Sequence, residues 1–153
     1  MTEQLKLILL KLEHLSRMRG YLEYSLSQVE PILLLKDWAG LNPEQHESLA
    51  AFRVRFSEFQ EHLGKAMRSV AVEEEQEVDR FGTVLAFMER LKIIDSVDQW
   101  KLIRELRNAV NHEYEDDGAR LVEIFDLMIA QVPSLIKFLT RLQAYCASAY
   151  QFP

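Results

Sequence analysis

Apolar residues return every three or four positions along most of the chain, the period of helices that share a core. Leu5, Ile8, Leu9, Leu12 and Leu15 open the pattern, and Tyr21, Leu22, Leu26 and Val29 continue it to "PILLLKDW". Gly20 and Pro31 are places where this first element can bend or divide. "LNPEQ" then reads as a helix start: Asn42 as N-cap, Pro43 in the first turn, and Gln45 closing a capping box. The second helix runs through Leu49, Phe52, Phe56, Phe59 and Leu63 to about Val70, its aromatic stripe belonging to the core. A third, shorter helix covers roughly Asp79 to Leu91. After a break at "IIDSVDQW", Ser96 with Gln99 makes a second capping box and starts a fourth helix. A fifth begins near Asp116 and runs to about Ala149, with a kink expected at Pro133. No strand pattern, internal repeat or low-complexity linker stands out. The expectation is all-α: an up-and-down bundle of four to five helices forming one domain over residues 1–153.

Composition agrees. The 153 residues suit one core, and 5 glycines with 4 prolines are too few for a turn-rich β fold. The single cysteine, Cys146, cannot form an internal disulfide, which fits a reducing, cytoplasmic setting. There is no thiol-ligand metal pattern, and no cofactor is expected. No signal peptide is evident. The N-terminal run "LKLILLKLEHL" is interrupted by Lys6, Lys11 and Glu13, too short and too charged to span a bilayer. It reads as an amphipathic core helix, with no membrane partner.

The formal net charge of −6 argues against a general polyanion binder, since phosphate contacts dominate nucleic-acid affinity. Any RNA contact needs a local basic patch. The acidic run "VEEEQEVD" reads as a solvated loop or helix end.

The fourth helix has such a patch. At about 100° per residue, Leu102, Ile103, Leu106, Ala109 and Val110 form a core face. The opposite arc runs from Arg107 through Asn111, Arg104 and Asn108 to His112, with Lys101 nearby. This arc is rich in donors, and only the asparagines and a neutral imidazole accept, which suits phosphates and base edges. Arg107 and His112 stand about 140° apart around the helix, not side by side. A shared substrate would lie across the arc. The arc also has a plainer reading, with a solvated or structural histidine and Arg107 paired to a nearby carboxylate such as Glu105 or Glu113. Tyr114 can likewise be an ordinary amphipathic tyrosine at the helix end. The other histidines, His14, His46 and His62, lack a recognisable motif and read as surface or helix-packing residues.

"RNAVNHEY" has the form R-N-x-x-x-H-x-Y and resembles the motif of HEPN domains, small helical proteins of prokaryotic defence and toxin–antitoxin systems. It is most similar to the R-x-x-x-x-H-x-Y motif of HepT-like toxins, whose positions here are Arg107, His112 and Tyr114. Asn108 matches the polar residue that commonly follows the arginine. The likeness covers chiefly residues 91–117, and helix order and length fit across the rest. The resemblance implies a homodimer whose motif helices meet at a cleft, with a metal-independent ribonuclease there. It also implies a minimal nucleotidyltransferase antitoxin as partner, which adenylylates Tyr114. Some HEPN members are instead non-catalytic partners of nucleotidyltransferases, so a nucleotide-binding or docking subunit is the alternative.

The implied chemistry is physically reasonable. RNA is cut when its 2′-hydroxyl attacks the adjacent phosphorus, which needs a base and an acid. A histidine can be either, and an arginine can hold the phosphorane oxygens. One chain has one motif histidine. A two-fold dimer would bring two copies of Arg107 and His112 to a single groove, with Arg104, Asn108 and Asn111 binding substrate. AMP on Tyr114 would add bulk and negative charge beside Arg107 and so block RNA.

Overall fold

The computed structural model describes residues 1–33, 37–113 and 117–152; the expected modification site, Tyr114, lies outside them. Among these residues the fold has five α-helices: α1 Glu3–Leu33, α2 Pro43–Glu73, α3 Phe81–Arg90, α4 Val97–Glu113 and α5 Gly118–Tyr150. A single 3-10 turn, Trp38–Gly40, precedes α2, and no strand occurs among the described residues. The bundle is all-α, as the periodicity predicts.

The long pair α1 and α2 is the spine. Buried positions on α2 fall at Leu49, Phe52, Phe56, Phe59, Leu63, Ala66 and Val70, alternating steps of three and four residues. That is a coiled-coil repeat, and it presents one continuous seam to a neighbour. α1 answers with Ile8, Leu12, Leu15, Met18, Leu22 and Val29, all buried. The two run antiparallel: Gln4 Nε2 donates to the Ser69 carbonyl at 3.0 Å, and the rings of His14 and His62 lie 5.2 Å apart. α5 packs on both, with Phe125, Met128, Val132, Leu135, Phe138, Leu139 and Leu142 sealed in the core.

α1 continues through both Gly20 and Pro31. Gly20 is exposed with nothing close to it, and Pro31 falls in the last turn, where the helix is about to stop. Tyr21 does not join the core. It is half exposed, and the Arg55 guanidinium lies 4.8 Å from its ring centre. α5 likewise runs through Pro133 without interruption. The α2 start is as read: Asn42 and Gln45 exchange hydrogen bonds of 2.8 and 2.9 Å, with Pro43 first in the helix.

"VEEEQEVD" holds the end of α2 and the loop after it, as its charge suggests. One member has an inward task. The Tyr150 hydroxyl donates to Glu74 Oε1 at 2.6 Å, tying the end of α5 to the end of α2. Burial, and then Glu74, push the phenol of Tyr145 up to about 12 and that of Tyr150 further. The buried Cys146 thiol is also pushed up to about 12, by burial first.

A cationic cleft between α2 and α4

α4 is placed by its cap and one large anchor. The Ser96 hydroxyl accepts the Gln99 amide at 3.0 Å. The second half of the expected capping box is diverted: the Gln99 side chain donates to Gln131 Oε1 on α5 at 3.3 Å. Trp100, in the helix's first turn, is completely buried. It sits in "IIDSVDQW", which reads as a break in sequence, yet Trp100, Ile93 and Ile94 all pack into the core.

Ile103, Leu106 and Val110 are buried, as expected of the core face. Leu102 is not; it is 42% exposed. The reason is angular. Leu102 is about 200° from Trp100, and once the indole takes the centre of the buried face, Leu102 is turned outward.

Arg107 lies where α4 faces α2. Its Nη1 donates to Gln60 Oε1 at 2.7 Å, and its Nη2 reaches Asn108 Oδ1 at 3.4 Å. Gln60 is only 4% exposed, one of two buried polar residues among those described. A buried amide that accepts from a guanidinium is a firm anchor, because a charged donor strengthens the bond.

Gln60 and Arg107 both line a 160 Å³ cleft, together with Glu61, Gly64, Lys65 and Arg68 of α2, Phe81 of α3, and Trp100 and Arg104 of α4. Four cations thus meet one carboxylate, Glu61, which lies 3.5 Å from Lys65. Arg68 lies over the Phe81 ring at 5.5 Å, and the Phe81 and Trp100 rings are 6.4 Å apart. Gly64 faces both rings: a methyl there would touch the Phe81 and Trp100 ring edges at 3.4 Å, in ordinary van der Waals contact. The Trp100 indole N–H and the Ser57 hydroxyl are buried without a hydrogen-bond partner among the described residues. Groups of this kind ordinarily find one.

Of the residues expected at the site, Arg104 and Arg107 line the cleft. Asn108 touches it only through Arg107. Asn111 and His112 are exposed and outside it. Lys101 is also exposed and not part of the lining. Within one chain, then, the motif's arginine and histidine are not brought together, as the helical angle requires.

Seven of the nine lining residues lie outside the set expected from the sequence. On α2 a polar stripe at Ser57, Gln60, Gly64 and Arg68 runs beside the apolar seam in steps of three, four and four residues. Gln60 and Arg68 stand on that stripe, with Lys65 next to Gly64, but that they face α4, like the pairing of Phe81 with Trp100, is decided by tertiary packing.

Elsewhere, burial, then Lys65 and His14, lower the pKa of His62 beside the His14 ring. No helix among the described residues is long and apolar enough to cross a membrane, and no group of three or more potential metal ligands occurs among them. Comparison of the chain with protein-family models, with curated proteins and with solved structures finds no match.

Proposed function

We propose that the chain is an RNA-directed protein, a metal-independent ribonuclease of the HEPN type that works as a homodimer. The observation that supports this most is the concentration of Lys65, Arg68, Arg104 and Arg107 around one cleft in a chain of net charge −6. Phosphate affinity needs local positive charge, and unpaired bases need flat faces to stack on. Phe81, half-buried, stands in the same lining as the cations and offers such a face, with the buried Trp100 indole packed beside it.

In this reading Arg107, held by Gln60, fixes a phosphate and steadies charge on the phosphorane oxygens. His112 of a second copy then supplies proton transfer, because its own arginine is on a different face of the helix. Arg104 and Asn108 hold the flanking backbone, with Asn111 beside His112. A minimal nucleotidyltransferase would act as antitoxin by modifying Tyr114.

The cleft also favours a second reading. All four cations and the Phe81 ring come from one chain, without His112. That set alone would bind a nucleotide, as a non-catalytic subunit of a nucleotidyltransferase would.

The deciding experiment incubates purified protein with total RNA and with tRNA in chelator, beside Arg107→Ala and His112→Ala. Cleavage that leaves 2′,3′-cyclic phosphate ends and falls roughly 10² to 10⁴-fold in His112→Ala supports the nuclease. Equal cutting by parent and His112→Ala refutes it. Nucleotide binding without cutting, lost in Arg107→Ala, supports the subunit reading.

A further inference from the structure

A second feature lies between α1 and α5 and shares no residue with the cationic cleft. Two adjoining hollows of 830 and 470 Å³ share Leu26, Ser27, Glu30 and Pro133, so they form one groove. Its walls are largely apolar: Leu26, Leu33, Ile129, Val132 and Ile136. Its charged lining is acidic throughout the described residues: Glu30 and Glu23 on α1, the latter paired with Arg19 at 3.0 Å, and Asp126 on α5.

The two helix-interior prolines both stand in this groove. A proline has no amide hydrogen, so the carbonyl four residues earlier loses its usual helical donor. For Pro31 that carbonyl is Ser27's, and for Pro133 it is Ile129's; both residues line the groove. The groove thus holds two carbonyls that lack this helical donor and three carboxylates, of which Glu23 is paired with Arg19.

We infer that this groove is a docking site for a basic amphipathic helix of another protein. Charge sets the sign of the partner, and shape sets its form. The α1 wall from Glu23 to Leu33 and the α5 wall from Asp126 to Ile136 each span about 15 Å, three turns of an incoming helix. Glu23 and Glu30 are seven residues apart on one rim, so they match two basic residues a heptad apart on the partner. Asp126 matches a third on its other flank. An apolar stripe at i, i+3, i+4 and i+7 would fill the floor.

The test uses a fluorescein-labelled synthetic helix with leucines in that stripe and lysines on both flanks, titrated by anisotropy into the full chain. Two companion peptides replace lysine with glutamate or shuffle the same composition to remove the stripe. The groove variant is Glu23→Gln/Glu30→Gln/Asp126→Asn, and the charge-matched control is Glu13→Gln/Glu47→Gln/Glu89→Gln. The groove variant should weaken binding roughly ten-fold, the combined worth of three exposed pairs, and the control less than about two-fold. The shuffled and glutamate peptides should bind at least roughly ten-fold more weakly than the lysine helix. Equal losses in the two variants, or equal binding of the shuffled peptide, would overturn the proposal. So would light scattering in which the groove variant alone dissociates a dimer, since the occupant would then be a second copy of this chain.

Discussion

Gln60 and Arg107 are 47 positions apart in the chain, and a hydrogen bond of 2.7 Å joins them across the α2–α4 contact. The amide is buried and the guanidinium half-buried, so the pair sets where the motif's positive charge stands. Replacing Gln60 with alanine should cost about 1 kcal/mol of stability and also weaken phosphate-containing ligands. A double-mutant cycle with Arg107→Ala should show about 0.5–3 kcal/mol of coupling in RNA or nucleotide affinity. Strict additivity would mean that Gln60 does not position the arginine.

Two glycines should respond in opposite senses. Gly20 is exposed inside α1 with nothing within 4 Å, so Gly20→Ala removes only backbone freedom. It should stabilise by about 0.5–1 kcal/mol and raise Tm by roughly 1–4 °C. At Gly118 an added methyl would meet Trp38 Cδ1 at 2.8 Å and its Cβ and Cγ at 2.9 Å. That ring is stacked 6.1 Å from Phe125, so it cannot simply swing aside. Gly118→Ala should lose about 1–3 kcal/mol, measured by thermal melting.

Alkaline stability should depend on the α2–α5 tie. Tyr145 and Cys146 are both pushed up to about 12, Tyr150 further, chiefly by burial. Each folded value lies above its unfolded one, so the unfolded chain releases protons first. Stability should be at its full level below about pH 9 and fall from there towards pH 12. Urea titrations across that range will show it. Tyr150→Phe should lower stability at neutral pH by about 1 kcal/mol and flatten the alkaline loss.

The acid side has the opposite sign. The pKa of His62 is lowered by burial, Lys65 and His14, with Glu61 and Glu58 opposing. The unfolded chain therefore takes up the proton first. The stability tied to His62 is present above about pH 6.5 and disappears as pH falls through its lower folded value. His62→Gln should reduce the slope of stability between roughly pH 7 and pH 5. An unchanged slope would assign acid sensitivity to other groups.

The helices were legible because their signals are local. The α2 cap needs only Asn42, Pro43 and Gln45, and the α2 seam needs only spacing. What failed were single positions decided by neighbours distant in sequence. Leu102 looked inward until Trp100 claimed the buried face, and Gln99 left its cap for Gln131. Gly20 and Pro31 looked like breaks, yet helix-breaking tendencies were outweighed by packing on either side. At the site, Arg104 and Arg107 could be named from one helix. Their companions Gln60, Lys65, Arg68 and Phe81 could be assigned only once α2 and α3 were set against it.

Gly64 gives the cleft a simple dial for selectivity. Because a methyl there would rest against both ring edges at 3.4 Å, an ordinary van der Waals contact, an alanine fits and each further atom takes space from the opening. Small changes at this one position would therefore narrow the opening by steps while leaving all four cations in place. Charge preference and size preference can then vary separately in descendants of this chain, and a ligand could be exchanged for a smaller one without rebuilding the bundle.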